Sequence, residues 1–263
     1  MYDVYYKSMS MSYDKSEDLM QRIFLNDPIT DGDISIFGAD AHHLARVLRM
    51  KPGEMIAVSG SDGVDRICRL EKVDGECVTA KVIKTEKNPA EPPYRAVLYQ
   101  GMPKGDKTDV IVQKAVELGV DTVVFAVTER SVARPDSKTL AKKTERFNRI
   151  SESAAAQSGR GRVPEVRCVE GFGAVLNEAK TADLALFCYE GGGENIADIL
   201  RGAAPSGERR IAIIIGPEGG FSDKEADAAR KAGIRFCSLG GRILRTETAG
   251  SHVLSCLAYE YER

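Results

Sequence analysis

The sequence predicts an α/β protein whose larger part is a mostly parallel sheet, preceded by a small β-rich domain. Three observations carry this. From Tyr94 onward, apolar runs of strand length alternate with amphipathic runs of helix length, as a parallel sheet with crossover helices requires. Ile211 to Ile215 is a continuous apolar run, mostly β-branched and too short for a helix, which reads as a strand buried on both faces. Between the two parts lies KTEKNPAEPP, Lys84 to Pro93, charged and rich in proline, which reads as a stiff linker.

In chain order, residues 1–19 are polar, lack periodicity and lack the apolar stretch of a signal peptide, and so read as a disordered extension. The first domain spans 20–84. Gln21–Leu25 and Ile34–Phe37 are short strands, and Met55–Ser59 and Val64–Glu71 flank Gly60-Ser61-Asp62-Gly63, a hairpin turn by composition. Cys77–Ile83 follows Asp74-Gly75 as a further strand. Asp40 is placed to cap a short helix, Ala41–Arg49, with His42, Arg46 and Arg49 on one side and Leu44, Val47 and Leu48 turned elsewhere. Residues 85–93 are the linker and 94–263 the second domain. There Arg95–Gln100 is the first strand and Asp106–Leu118 an amphipathic helix with Val110, Ile111, Ala115 and Leu118 on its apolar face. Asp121–Val127, Val166–Val169 and Asp183–Tyr189 are strands, and Lys138–Gln157 is a long helix.

The chemistry is expected around IAIIIGPEGGFS (211–222) and SLGGRILRTETA (238–249). Gly216-Pro217 ends the apolar strand, and Gly219-Gly220 opens backbone conformations closed to other residues. Ser222 with Glu225 is a capping box, which starts a helix that ends near Gly233. The device then repeats: a strand at Ile234–Leu239, a turn at Gly240-Gly241, and a closing helix from Thr246 with Ala249, Val253, Leu257 and Tyr261 on one face. Gly191-Gly192-Gly193 is a third glycine turn at a strand end. Such turns bring bare backbone groups to a nucleotide-sized ligand. Neither G-x-G-x-x-G nor a Walker A occurs, so a nicotinamide or ATP enzyme has no motif behind it.

Composition narrows the class. The 263 residues are 43% hydrophobic and 29% charged, as in a soluble globular chain of one or two domains. No apolar run approaches a membrane span. Six cysteines without a C-x-x-C pair read as free thiols in a reducing cytosol, so the chain is expected to be cytoplasmic. His42 and His43 have no third ligand in reach, so no metal site is expected. The net charge of −2 leaves room for a local basic face. Lys138, Lys142, Arg146 and Arg149 form one stripe along the long helix, and Arg160 and Arg162 follow in a glycine-bearing loop suited to a phosphate backbone. A merely solvated charge face is the alternative.

IIGPEGGFS followed by LGGRILRTETA resembles the RsmE family of SPOUT (α/β-knot) RNA methyltransferases. HHLARVLRMKPGE, ERSVARPD and ESAAAQSGR are similar to the same family, so the resemblance runs from Met20 to the end. It implies a SPOUT α/β-knot fold, a trefoil-knotted and mostly parallel sheet, with an N-terminal PUA-like RNA-binding β-barrel. It implies methylation of N3 of one uridine in 16S ribosomal RNA by S-adenosylmethionine, within small-subunit maturation, by a homodimer. Cofactor contacts are then expected from Leu186, Tyr189, Glu190, Ile215, Gly216, Pro217, Glu218, Gly219 and Gly220, and from Ser238, Leu239, Gly240, Ile243, Leu244, Thr246 and Thr248. RNA contacts are expected from Arg22, His42, Arg46, Arg49, Arg130, Arg134, Lys142, Arg146, Arg149, Arg160 and Arg162. Arg245 and Glu247 are the catalytic candidates. Arg245 would stabilise negative charge on the uracil carbonyls, and Glu247 would accept a proton or hold Arg245. In the alternative, Glu247 favours the helix start and Arg245 binds phosphate. A SPOUT ribose 2′-O-methyltransferase and a non-catalytic RNA-binding protein remain the rival readings.

Overall fold

The computed structural model describes residues 20–25, 29, 32–203 and 208–262. The extension read at 1–19 lies outside them. The chain divides into two compact units, with the boundary between Lys87 and Asn88.

The first unit is a five-stranded sheet in the order β1-β3-β4-β5-β2. The strands are β1 (Gln21–Phe24), β2 (Asp33–Phe37), β3 (Met55–Ser59), β4 (Val64–Val73) and β5 (Cys77–Lys87). β1 runs parallel to β3 and the other pairs are antiparallel. The alternation of apolar residues turns Ile34, Ile36, Ile56, Val58, Leu70, Val78 and Ala80 into one core, which Leu44 completes. Two register shifts in the long β4–β5 ladder bend it. β5 carries through Lys87, so Lys84 to Lys87 of the KTEKNPAEPP stretch are strand rather than linker.

The helix of this unit departs from expectation. Helix α1 (Gly38–His42) has Phe37, not Asp40, at its N-cap, and Asp40 lies in its first turn. It continues as one π-helical turn, His43–Val47, closed by Leu48 N–H to the His43 carbonyl at 2.9 Å. Arg49 then leaves the helix with φ +55, so it does not share the helical row of His42 and Arg46. Leu44 is buried, whereas Val47 and Leu48 are exposed.

The second unit is a seven-stranded parallel sheet in the order β10-β12-β9-β11-β6-β7-β8. The strands are β6 (Tyr94–Gly101), β7 (Thr122–Ala126), β8 (Glu165–Val169), β9 (Leu184–Cys188), β10 (Glu194–Asn195), β11 (Arg209–Ile215) and β12 (Arg235–Ser238). The helices are α2 (Lys107–Glu117), α3 (Ser137–Gln157), α4 (Gly171–Ala179), α5 (Ile196–Gly202), α6 (Asp223–Lys231) and α7 (Thr246–Tyr261). α4 and α6 cover one face, where Val175, Ala179, Ala226 and Ala229 meet Val97, Tyr99, Phe187, Ala212 and Ile214. On the other face Phe147 of α3 meets Phe125 of β7, with ring centroids 5.2 Å apart. α2 packs against both α3 and α7. Val110 of α2, placed on the apolar face by periodicity, is exposed instead. β6, β7 and β8 step outward to one side, whereas β9, β12 and β10 lie on the other side of β11. The strand order therefore reverses beside β11, the place where an α/β sheet opens a crevice at its carboxyl edge.

Candidate active site

Because the sheet is parallel, the carboxyl ends of β9, β11 and β12 share one edge. Gly191-Gly192, Gly216–Gly220 and Leu239–Gly241 follow those ends. The turn after β11 is held from several sides. The predicted capping box forms: Ser222 Oγ accepts the Glu225 N–H at 3.3 Å, and Glu225 Oε2 accepts the Ser222 N–H at 2.9 Å. Glu225 also accepts the Glu129 N–H at 2.8 Å, and Glu129 accepts the Ser222 hydroxyl at 2.6 Å. Arg130 donates to the Gly219 carbonyl at 3.2 Å, and Arg134 donates to the Glu129 carbonyl at 2.8 Å. Gly220 takes φ +65, and a Cβ there would run into the Glu190 carboxylate. Below the turn, the rings of Phe187 and Phe221 stack at 4.4 Å, and Phe236 lies 4.8 Å from Phe187.

The head of α7 is locked to the same turn. Thr246 Oγ1 donates to the Gly216 carbonyl at 2.6 Å and accepts from Gln100 Nε2 at 2.7 Å. Gln100, fully buried at the end of β6, also reaches the Gly216 carbonyl at 3.3 Å. Its Oε1 is buried without a partner among the described residues. Arg245 is the N-cap residue of α7 and is exposed, and no hydrogen bond or ion pair joins its guanidinium among the described residues. Glu247, in the first turn of α7, faces Lys107: Nζ lies 3.3 Å from Glu247 Oε2 and 3.0 Å from Glu218 Oε1. The structure thus separates Glu247 from the role of holding Arg245. The hydrogen bond to Glu218 raises the Lys107 pKa, burial opposes it, and Glu247 adds to the rise. Burial pushes the Glu218 carboxyl up, but its own backbone N–H, Lys107 and the Lys104 N–H outweigh this and hold it below the ordinary value.

Most of the expected cofactor residues meet at this edge. Tyr189 and Glu190 follow β9, Ile215 through Gly220 end β11, and Ser238, Leu239 and Gly240 end β12. Ile243, Leu244 and Thr248 flank Arg245, and Ile243 is 93% exposed. Leu186 is a correction. It is fully buried in mid-strand, paired on both sides with Ile213 and Arg235, and offers no surface to a ligand. Thr246 is likewise buried and acts as a strut beneath the turn.

The RNA set divides. Lys142 and Arg149 are exposed on α3, and Arg149 lines an open groove with Gln113, Arg146, Ser153 and Gln157. Arg146 is paired with Asp109. His42 and Arg46 are exposed in the first unit, as is Arg49. Two members are corrections. Arg160 is 3% exposed, forks onto Glu91 at 2.9 and 3.0 Å, and donates to the Val116 and Val120 carbonyls at 3.0 Å. Arg22 is a bidentate partner of buried Asp65. Both guanidinia are thus committed to carboxylates of the protein and largely covered. Arg162 is half-buried and lies 3.9 Å from Glu91.

Several contributors escaped the sequence reading. Lys107 and Gln100 reach the site from segments with no motif of their own, and Glu129 from ERSVARPD, where no role is assigned to it. Phe187 and Phe221 fall within stretches singled out from the sequence, but neither has a role assigned there. The site suits S-adenosylmethionine on the chemistry of its groups. A Cβ at Gly240, whose φ is +100, or at Gly241 would meet nothing within 4 Å, so the turn after β12 stands open. Leu239 and Leu244 are half-buried apolar side chains beside that turn, and Glu190 is a carboxylate next to Gly220. No group of three or more His, Cys, Asp or Glu among the described residues is placed to hold a metal.

Fold and site together define the class, a SPOUT (α/β-knot) methyltransferase domain with an N-terminal PUA-like domain. Residues 90–258 match the model of an RNA methyltransferase domain, and residues 38–83 that of an RNA methyltransferase PUA domain. The chain belongs to the ribosomal RNA small subunit methyltransferase E family. It is 36% identical to that enzyme of Bacillus subtilis over 87% of this chain and 90% of the relative, and 30% identical to that of Mycobacterium tuberculosis over 91% and 92%. A crystal structure of the Neisseria gonorrhoeae methyltransferase E bound to S-adenosyl methionine superposes with TM-score 0.80 at 30% identity, covering 91% of this chain and 97% of that one. A Legionella pneumophila methyltransferase in complex with the same cofactor superposes with TM-score 0.78 at 30% identity, covering 91% and 97%.

Proposed function

We propose that the chain methylates N3 of a uridine in 16S ribosomal RNA, using S-adenosylmethionine, during maturation of the small ribosomal subunit. The observation that carries this is Arg245. It is an exposed guanidinium with no protein partner among the described residues, one residue before the strut that locks α7 to the glycine turn. The names of the relatives support the RNA class, and the cofactor in two of the solved relatives supports the donor.

When bound, S-adenosylmethionine supplies an electrophilic methyl on a sulfonium. Leu239, Leu244 and the backbone of Gly216–Gly220 and Gly240 would hold it, with Glu190 near its charge. Uracil N3 carries a weakly acidic proton, which must leave before the N3 lone pair forms the new N–C bond. Negative charge then spreads onto the carbonyls at positions 2 and 4, where Arg245 stabilises it most in the transition state. Glu247 stands two residues on as the nearest carboxylate in sequence to accept the proton. N3 lies on the pairing edge, so the base is met unpaired or extruded. RNA phosphates are met by Lys142 and Arg149, whose exposure supports that role, with His42, Arg46 and Arg49 on the PUA-like unit.

The working form is a homodimer in the cytoplasm. Exposed Ile243 and Tyr259, the latter 72% exposed on α7, support an apolar contact with a second copy. No helix among the described residues is long and apolar enough to cross a membrane. Methylation of small subunits lacking this modification, followed by mass spectrometric mapping, tests the reading. A methyl on N3 of one uridine is expected, and a methyl on a ribose 2′-oxygen would replace this reading with its rival.

A further inference from the structure

We propose that Lys107 is a positioning residue of the methyl transfer. Its ammonium ties the turn after β11 to the head of α7, and so fixes where Arg245 stands relative to the cofactor-binding backbone. This rests on the methyltransferase reading above.

Lys107 is the first residue of α2, where the helix dipole disfavours a cation. What holds it there is a pair of carboxylates from two other segments, Glu218 at 3.0 Å and Glu247 at 3.3 Å. The loop before α2 joins the same grip, because the Lys104 N–H donates to Glu218 Oε1 at 3.1 Å. Three stretches far apart in the chain therefore meet at one nitrogen: the exit from β6, the glycine turn and the start of α7. Glu218 belongs to the turn and Glu247 follows Arg245 by two residues, so the ammonium spans the boundary between cofactor side and substrate side. Glu247 Oε2 is a buried atom, and Lys107 is the charge set against it.

The magnitudes distinguish positioning from simple support. Side chains of Lys107, Glu218 and Glu247 retain 31%, 24% and 28% exposure, and ion pairs that wet add little to stability. Misplacing reacting groups by an ångström, in contrast, costs up to about a hundredfold in rate. Lys107→Met should thus leave the melting curve nearly unchanged while lowering function.

The experiment compares the full chain with Lys107→Met, Lys107→Arg and Lys107→Met/Glu247→Gln. Calorimetry reads S-adenosylmethionine affinity, thermal melting reads stability, and single turnover on small subunits at saturating cofactor and RNA reads rate. For Lys107→Met, roughly tenfold weaker cofactor binding and a ten- to hundredfold slower saturated turnover are expected. Lys107→Arg, which can still bridge both carboxylates, should recover most of the cofactor affinity. Adding Glu247→Gln should cost little more affinity, because the two residues act as one unit. Wild-type affinity in Lys107→Met overturns the proposal, as does wild-type saturated turnover. A Lys107→Met chain that loses only melting temperature makes Lys107 a simple support and also overturns it. If the wild-type chain transfers no methyl to RNA, the functional reading fails, and the affinity comparison still decides the role of Lys107.

Discussion

Arg160→Met gives the sharpest separation between what a basic loop suggests and what its geometry does. The substitution removes the guanidinium but keeps much of the apolar volume. It leaves the Glu91 carboxylate 8% exposed without its bidentate partner, and frees the Val116 and Val120 carbonyls, each of which had a 3.0 Å bond. Breaking a buried pair from one side typically costs about 3–5 kcal/mol, and the nearby Arg162, at 3.9 Å, argues for the lower part of that range. For a unit of this size, about 2–4 °C of melting temperature is lost per kcal/mol, so a cost of about 3–4 kcal/mol gives a fall on the order of 6–16 °C. Calorimetric melting measures it, and RNA binding is read by filter binding across salt at a temperature where both proteins are folded. Affinity and salt slope per folded molecule should not move. Glu91→Gln/Arg160→Met should be less damaged than Arg160→Met, since no buried charge is then left alone. A variant that melts within about 2 °C of the parent, well short of the fall expected for a buried pair, yet binds RNA with a flatter salt slope would refute the structural assignment.

The remaining predictions concern the cleft, the RNA face, the chemistry and pH. Gly220→Val should abolish S-adenosylmethionine binding in calorimetry, because φ +65 and the Glu190 carboxylate both oppose a β-branched side chain, whereas Gly219→Ala meets Arg130 only at 3.1 Å and should bind measurably. Reversing Lys142 and Arg149 to Glu should weaken RNA binding for all sequences and reduce the salt slope by about 0.7–0.9 for each phosphate no longer neutralised, leaving cofactor affinity unchanged. Arg245→Lys should lower single turnover at saturating RNA and recover partly as pH rises and N3 deprotonates; full rate at saturating RNA would make Arg245 a phosphate-binding residue. Arg167 holds the Glu178 carboxyl below its ordinary value of 4.5, so that pair stabilises the fold above this pH and is lost as pH falls through the lowered value. Glu178→Gln should therefore flatten the acid limb of stability in urea titrations between neutral pH and about pH 3.

The parts of the fold legible in the sequence are those whose signals are local. β11, α6, β12 and α7 each announce themselves by an apolar run, a cap or a glycine, and the Ser222–Glu225 box forms as its spacing requires. α4 and α5 escape notice because GFGAVLNEA begins with glycines around one Phe, and IADILRG is barely two turns. Arg49 reads as part of a helix that in fact ends two residues earlier, since a π-helical turn leaves no mark on a 3.6-residue pattern. The cleft edge is legible for the same reason as its strands. Its supports are not. Gln100 and Lys107 act through partners more than a hundred residues away, and Glu129 through partners nearly as distant, so nothing near them in sequence marks the pairing. Arg160 illustrates the opposite error, since a charge flanked by glycines looks free until Glu91 is brought beside it.

A parallel sheet alone would give only a row of turns along one edge, each free to move with its own strand. What makes a single site of them is a set of side-chain bonds that ignore strand order. Gln100 from β6 and Thr246 from α7 both close on the Gly216 carbonyl, at 3.3 Å and 2.6 Å, so the last helix starts from a point fixed on the turn after β11. Arg245 immediately precedes that point and inherits its rigidity through one peptide unit. The backbone of Arg245 is therefore placed by its neighbour, while among the described residues its exposed guanidinium has no protein partner. The carboxylate two residues further on is restrained separately, by Lys107, from the other side of the same turn. On the proposed reading, the groups that meet substrate and cofactor are then held from one short segment, as in-line transfer between two bound molecules requires.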